Sequence, residues 1–170
     1  MNDTLQSPNP RITLRVATAH DIGLILDLIR QLADYEKMTD EVVTNEDQLR
    51  QSLFGERRGA EVVIASYDGE PAGFALFFHN FSTFLGRPGI YLEDLFVIPA
   101  LRGHGIGQVL LSHLAEIAVD RGCGRLEWAV LDWNTDAIRF YERFGAKAMD
   151  EWTVFRVSGD ALEQLSKGRG

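Results

Sequence analysis

The chain of 170 residues lacks most of the features that would place it in a membrane, on nucleic acid or among disulfide-stapled proteins. Its one cysteine, Cys123, excludes an internal disulfide framework and a cysteine-rich metal site, and favours a reducing compartment. Its apolar runs are too short to span a bilayer. Seventeen Lys and Arg residues stand against 25 Asp and Glu residues, and this net charge of −8 disfavours nucleic-acid binding.

These absences favour a soluble cytoplasmic protein. Residues 1–10 are polar and include two prolines, so we expect a flexible tail and no signal peptide. The remaining length, residues 11–170, fits a single domain. The acidic balance is compatible with a cationic substrate, although it is also an ordinary way to keep a protein soluble. The four histidines have no metal-like spacing and Cys123 has no patterned His–Asp partner, so we predict no metal and no cysteine nucleophile.

Hydrophobic periodicity predicts helices and strands in the order β-α-α-β-β-β-α-β-α-β. Strands are expected at 12–16, 61–67, 72–81, 90–98 and 126–131, with one or two more in 148–157; helices are expected at 18–35, 44–54, after the glycines at 103–107, at 135–144 and at 160–167. Hairpins mixed with strand–helix–strand crossovers predict an α/β (α+β) fold. We expect a mixed, mostly antiparallel sheet of six to seven strands, flanked by helices on both faces.

A glycine-rich turn lies between a predicted strand and a predicted helix. Glycines at 103, 105 and 107 leave several backbone N–H groups unobstructed at the positive end of the helix dipole. Such a turn can hold a phosphate or pyrophosphate, and Arg102 can add a charge-assisted hydrogen bond. The alternative is a turn with no ligand.

Two familiar phosphate-binding motifs do not fit this turn. A nucleotide-triphosphate P-loop ends in Gly-Lys-Ser/Thr, whereas Gly107 is followed by Gln108 and Val109. A dinucleotide fingerprint needs a further glycine at 108 or 110, and those positions hold Gln108 and Leu110.

The segment Arg-Gly-His-Gly-Ile-Gly at 102–107 matches the Arg/Gln-x-x-Gly-x-Gly/Ala signature of the GNAT superfamily of N-acetyltransferases. The resemblance extends from about Ile12 to Val157. It is strongest at 91–97, 130–134 and 140–146, which resemble the diamine (spermidine/spermine) and thialysine N-acetyltransferase branch. It implies the GNAT fold, acetyl-CoA as co-substrate, and a homodimer with active sites near the interface.

The resemblance also implies which residues contact coenzyme A. The family places a bulge in the strand that contains Glu93, and the splayed backbone beyond it pairs with the pantetheine arm. Asn134 can both cap its helix and touch the cofactor. The implied contacts are Leu95, Phe96, Val97, Arg102, Gly103, His104, Gly105, Ile106, Gly107, Gln108, Asn134 and Tyr141.

Acetyl transfer to an amine requires a neutral amine, a polarised thioester carbonyl and a proton for the departing thiolate. By resemblance, Tyr141 is the proton donor and Glu93 binds the substrate and removes its proton, through water. A backbone N–H of Leu95 or Phe96 would polarise the thioester oxygen. The residues alone also allow a buried aromatic stripe that includes Tyr141 and a charge pair at Glu93.

The resemblance places six residues at the amine site: Tyr35, Glu36, Glu93, Asp94, Asp132 and Trp133. Polyamine enzymes of the branch have an acidic residue and a tryptophan where this chain has Ser82 and Phe84. Because one anionic anchor for a long polycation is missing, we expect a shorter amine, such as thialysine, a lysine-like amino acid or a small diamine. A protein or peptide N-acetyltransferase and a non-catalytic acyl-CoA sensor are the alternatives.

Overall fold

The computed structural model describes residues 5–168, and its centre is a sheet with the strand order β1-β2-β3-β4-β5-β6. The strands are β1 (Leu5–Gln6), β2 (Ile12–Val16), β3 (Glu61–Tyr67), β4 (Glu70–Ser82), β5 (Arg87–Val97) and β6 (Leu126–Trp128). Neighbouring strands pair antiparallel except β5 and β6, which are parallel. The predicted α/β class with a mostly antiparallel sheet is confirmed.

In the described part of the chain, five α-helices accompany the sheet: α1 (Ile22–Glu36), α2 (Glu46–Phe54), α3 (Ile106–Asp120), α4 (Thr135–Glu142) and α5 (Gly159–Ser166). Their starts follow local capping chemistry. Thr18 and Asp21 form a capping box around the short 3-10 turn that leads into α1, and Asn45 with Gln48 does the same for α2. The predicted helix ending near Tyr35 is therefore confirmed, and the second helix begins two residues after the expected Thr44.

Helices pack against both faces of the sheet. On one face, Ile25 and Leu28 of α1 join Ile64, Phe74 and Phe96 in a core with no side chain more than a few per cent exposed. Helix α3 lies on the opposite face of the sheet. The guanidinium of Arg121, at the end of α3, stands over the ring of Phe77. Phe77 is three residues after Phe74 on β4, so the two side chains point to opposite faces. The α1 face positions the candidate site described below.

The chain divides into two compact units, the first extending to Ala129 and the second beginning at Val130. The first contains the whole sheet with α1, α2 and α3. The second contains α4 and α5. Asn134 caps α4 by accepting a hydrogen bond from the amide of Ala137, as the sequence predicted.

Three expectations about chain segments need correction. No strand forms at 148–157, where Trp152, Val154 and Phe155 are largely exposed and no strand of the described residues pairs with them. The prediction of up to seven strands was therefore too high: within residues 5–168 five strands have three or more residues, and β1 has two. β6 ends at Trp128 rather than at residue 131.

The predicted tail, residues 1–10, is described only in part. Residues 5 and 6 pair with Leu14 and Thr13 of β2, and residues 1–4 lie outside the described residues. None of the helices in the described residues is long and apolar enough to cross a membrane.

Candidate active site

A β-bulge places the acidic pair of β5. Asp94 is paired with Leu76 of β4 and Leu92 is paired with Phe77, so Glu93 between them has no partner in the register. The bulge that the resemblance implied is thus confirmed. It leaves Glu93 exposed, while Asp94 is half-buried on the face of the sheet that α1 covers.

Three carboxyl groups gather at this bulge. Burial, followed by the negative charges of Glu93 and Glu36, raises the pKa of Asp94 from 3.8 to about 7. Burial also raises the pKa of Glu36 at the end of α1. Among the described residues no group of three or more His, Cys, Asp or Glu side chains is placed to hold a metal ion. A cluster of this kind attracts a cation and can take up a proton near neutral pH.

Arg102 connects this cluster to the glycine turn. Its guanidinium carbon lies 4.0 Å from the centre of the Tyr35 ring, and its Nε donates a 3.1 Å hydrogen bond to the carbonyl of Val97. The side chain therefore reaches across the end of β5 towards α1. Its predicted contact with a cofactor phosphate stays a prediction.

The glycine turn leaves its backbone open to a ligand. Gly103 and Gly105 have φ angles of +81° and +86°, which non-glycine residues rarely adopt, and a Cβ at either would meet nothing within 4 Å. Gly105 is the N-cap of α3 and supplies no side-chain hydrogen bond to the helix, so the first amides of α3 keep their donors for a bound anion. The ring of His104 packs against that of Tyr67 at 4.9 Å between ring centres.

The end of β5, which precedes the glycine turn in the chain, has one edge without a partner strand among the described residues. β6 pairs only with Ile90–Leu92, so no strand of the described residues pairs with the other edge of 93–97. The backbone of Leu95, Phe96 and Val97 is therefore available along that edge for an extended ligand.

A cavity of about 310 Å³ lies beside the same turn but is separate from the carboxyl cluster. Its lining includes Ile12, Leu14, Gly105, Val109 and His113. None of Glu36, Glu93 and Asp94 borders it.

The other predicted site residues belong to the second unit. Asp132 and Trp133 are exposed in the turn before α4, and Asn134 caps that helix. Tyr141 is half-buried in its last turn, and its ring stacks edge-on against Phe140 at 5.2 Å between centres.

Sequence reasoning did not single out a polar cluster on the α1 face of the sheet. Nδ2 of Asn80 donates a 2.7 Å hydrogen bond to Oε2 of Glu127, and Nε of Arg125 lies 2.8 Å from the same oxygen. Because these residues come from β4, β6 and the loop before β6, only the strand pairing could have shown their proximity.

Comparison with known proteins agrees with this geometry. The chain matches the acetyltransferase (GNAT) family over residues 26–146. It is 42% identical over 166 residues to thialysine N-epsilon-acetyltransferase from Bos taurus, covering 91% of this chain and 97% of that one. It is 34% identical over 199 residues to L-ornithine N5-acetyltransferase from Arabidopsis thaliana, covering 91% and 87%.

A solved structure has the same fold. An integron cassette protein from Vibrio cholerae superposes with a TM-score of 0.75 at 29% identity, covering 92% of this chain and 98% of that one. The match with the family spans more than half of the chain and includes the bulged strand, the glycine turn and α4. The chain therefore belongs to the GNAT family of acetyltransferases.

Proposed function

We propose that this acetyltransferase moves the acetyl group of acetyl-CoA to the primary amine of a small cationic metabolite. The acceptor is thialysine, a lysine-like amino acid or a small diamine. The observation that carries the proposal is the cluster of Glu36, Glu93 and Asp94 at the bulge of β5, beside the open edge of that strand. Names of similar proteins, a thialysine and an L-ornithine acetyltransferase, support an amino acid as the acceptor.

The residues present fit coenzyme A. The uncapped start of α3 and the two glycines with positive φ suit a pyrophosphate, and the free edge at Leu95–Val97 suits the pantetheine arm. Bound there, acetyl-CoA supplies the activated acyl group. Arg102 holds the end of α1 against this strand by its contact with Tyr35.

Removal of a proton from the amine is the main task left to the protein. An alkyl amine has a pKa of roughly 10.4, so at pH 7.5 only about one molecule in a thousand is neutral, a deficit of about 4 kcal/mol. Glu36 and the exposed Glu93 attract the cation to the bulge. Asp94, whose pKa is raised to about 7, is matched to accept its proton at neutral pH.

We therefore propose Asp94 as the proton acceptor. The resemblance to the branch implies its neighbour Glu93 in that role, acting through water. Burial raises the pKa of Asp94 to about 7, which suits this carboxyl group to accept the proton, whereas Glu93 is exposed at the bulge. Glu93 then contributes charge and substrate binding.

Tyr141 is proposed to donate its hydroxyl proton to the departing sulfur as the new carbon–nitrogen bond forms. The amine attacks the bound thioester directly, so the reaction needs no covalent enzyme intermediate. The resemblance also implies a homodimer. The dimer stays a prediction, which light scattering would test.

A panel of amines tests the proposed function. The protein is incubated with acetyl-CoA and thialysine, lysine, ornithine, spermidine or a histone-like peptide, and thiol release is followed. We expect release with the amino acids, and less with spermidine. Release with the peptide alone would make the protein a peptide acetyltransferase. Tight coenzyme A binding without release would make it a sensor.

The variant Glu93→Gln distinguishes the two candidate proton acceptors. The charge of Glu93 helps to raise the pKa of Asp94, so its removal should move the acidic limb of the kcat/KM profile to lower pH, by roughly 0.5 unit. If Glu93 is itself the acceptor, the profile moves to higher pH instead. Glu116→Gln, which removes an exposed carboxylate of α3, is the control and should leave the profile in place.

A further inference from the structure

The cluster of Asn80, Arg125 and Glu127 lies on the same face of the sheet as Asp94. Side chains on β4 alternate between faces, and Phe74 and Leu76 pack towards α1 with the core. Phe78 and Asn80 continue that alternation on the same face, and the hydrogen bond from Asn80 brings Glu127 to it. Asp94 is the partner of Leu76. The carboxyl cluster and the polar cluster therefore share one surface.

The two clusters are separated by about the length of a lysine side chain. Tyr91 is opposite Glu127, and Asp94 lies three residues further along β5. With a rise of about 3.3 Å per residue, shortened at the bulge, and about 4.8 Å between strands, the backbone positions of Asp94 and Glu127 are roughly 10 Å apart. Six single bonds of about 1.5 Å in a zigzag, from the terminal nitrogen of lysine to its carboxylate, span roughly 8 Å.

An aromatic floor joins the two ends. The rings of Phe78 and Tyr91 lie 5.2 Å apart between centres and stand between Asp94 and the polar cluster. Such rings can pack against the methylene groups of an amine substrate.

A ligand can reach the polar cluster through its charged side chains, but not through all of its polar atoms. Oδ1 of Asn80 and Nε of Arg125 are buried and make no hydrogen bond, in spite of the short distance from Nε to Glu127. Unsatisfied buried atoms of this kind are rare and call for an explanation. The side chains of Arg125 and Glu127 are each 36% exposed, so a ligand can reach both charges.

A close backbone contact holds the cluster in place. Gly89 is buried under it, and a Cβ at this position would come within 2.4 Å of Oδ1 of Asn80 and 2.9 Å of Cγ of Arg125. The absence of a side chain at Gly89 thus allows Asn80 and Arg125 to lie flat against β5.

We propose that Arg125 and Glu127, which Asn80 holds in place by its hydrogen bond to Glu127, bind the α-carboxylate and α-ammonium groups of an amino-acid substrate whose side-chain amine reaches Asp94. The guanidinium group of Arg125 pairs with the carboxylate of the substrate, and the carboxylate of Glu127 suits its ammonium group. The opposite charges of Arg125 and Glu127 match the zwitterionic end of an amino acid, whereas a diamine would bring a second cation beside Arg125. The inference rests on the proposed function and names the group that selects its substrate.

The variant Arg125→Gln tests the inference with two matched substrates, thialysine and its carboxamide, which has both amines but no carboxylate. We expect Arg125→Gln to raise KM for thialysine at least tenfold with kcat changed less than about twofold. KM for the carboxamide should stay the same, and Arg125→Lys should restore part of the loss. Equal losses for both substrates, or no loss for either, would overturn the inference.

Arg121→Gln is the matched control. Arg121 is another arginine of the first unit, but it pairs with Glu61 on the α3 face, so its removal should not distinguish the two substrates. Calorimetry of thialysine binding in the presence of coenzyme A separates the inference from the proposed function. Loss of binding in Arg125→Gln but not in Arg121→Gln supports the inference even if no amine is acetylated. Binding that is unchanged, or absent in the unsubstituted protein, refutes it.

Discussion

Asp94→Asn is expected to stabilise the protein at pH 8 by about 2 kcal/mol and to lower its turnover about 100-fold at the same pH. The gain arises because an ionised carboxylate is held in a partly buried site beside Glu36 and Glu93. The amide has nearly the same shape and carries no charge. The loss of turnover arises because the amide accepts no proton from the amine.

The pH dependence of the free energy of unfolding follows from the direction in which folding shifts the pKa of Asp94. The ordinary pKa of the carboxyl group is 3.8, and in the folded protein the pKa is raised to about 7. Between these values the folded state binds more protons than the unfolded state, so the free energy of unfolding falls as pH rises. The penalty is absent below about pH 4 and complete above about pH 7. A shift of this size corresponds to about 4 kcal/mol at most, and partial exposure reduces it to about half.

Urea unfolding at pH 5 and pH 8 measures this effect. Asp94→Asn should gain stability mainly at pH 8, so its free energy of unfolding should depend less on pH than that of the unsubstituted protein. Asp27→Asn, which neutralises an exposed carboxylate of α1, is the control and should change stability little at either pH. An equal gain at both pH values would mean that the side chain's packing, and not its charge, is responsible.

The local elements of this fold were predictable because their signals are local. The capping box at Thr18 and the run of apolar residues after it identify α1 without knowledge of the rest of the chain. β3 was predicted with both its bounds, 61–67, from its Val and Ile content and the Asp-Gly turn that follows. Asn134 was correct as a cap because capping depends on three neighbouring residues.

Pairing between distant segments was not predictable in the same way. The apolar residues at 152–157 suggest a strand, but a strand forms only where another edge pairs with it, and composition does not show this. The burial of Asp94 depends on α1, β4 and β5 meeting at the bulge, so the sequence marked Asp94 as acidic without showing its raised pKa.

The contacts of arginine side chains also depend on distant segments of the chain. The motif predicts that Arg102 contacts a phosphate, which stays a prediction, but it does not show that the side chain also lies over Tyr35. Arg125 was not singled out, because its partners Asn80 and Glu127 come from different strands. Motifs locate the backbone of a site well, whereas the directions of long side chains depend on what surrounds them.

Tyr141→Phe is expected to lower kcat by about 10² to 10³ while the Kd for coenzyme A changes less than about twofold. The substitution removes only the hydroxyl, and the edge-on contact with Phe140 can be kept by the phenylalanine ring. If Tyr141 is a packing residue of α4, the hydroxyl contributes little and the rate stays nearly the same. The measurement is thiol release at saturating acetyl-CoA and amine, with coenzyme A binding followed by calorimetry.

Tyr67→Phe is the matched control for the expected decrease in kcat of Tyr141→Phe. Tyr67 is a buried tyrosine of β3 whose ring packs against His104, next to the glycine turn. Removing its hydroxyl keeps that packing and removes no group assigned to the reaction, so kcat should be unchanged. A decrease in Tyr141→Phe alone, with equal melting temperatures for both variants, would support a role for the Tyr141 hydroxyl in the reaction. An equal decrease in both variants would instead trace the effect to the fold, and Tyr141 would have no part in the chemistry.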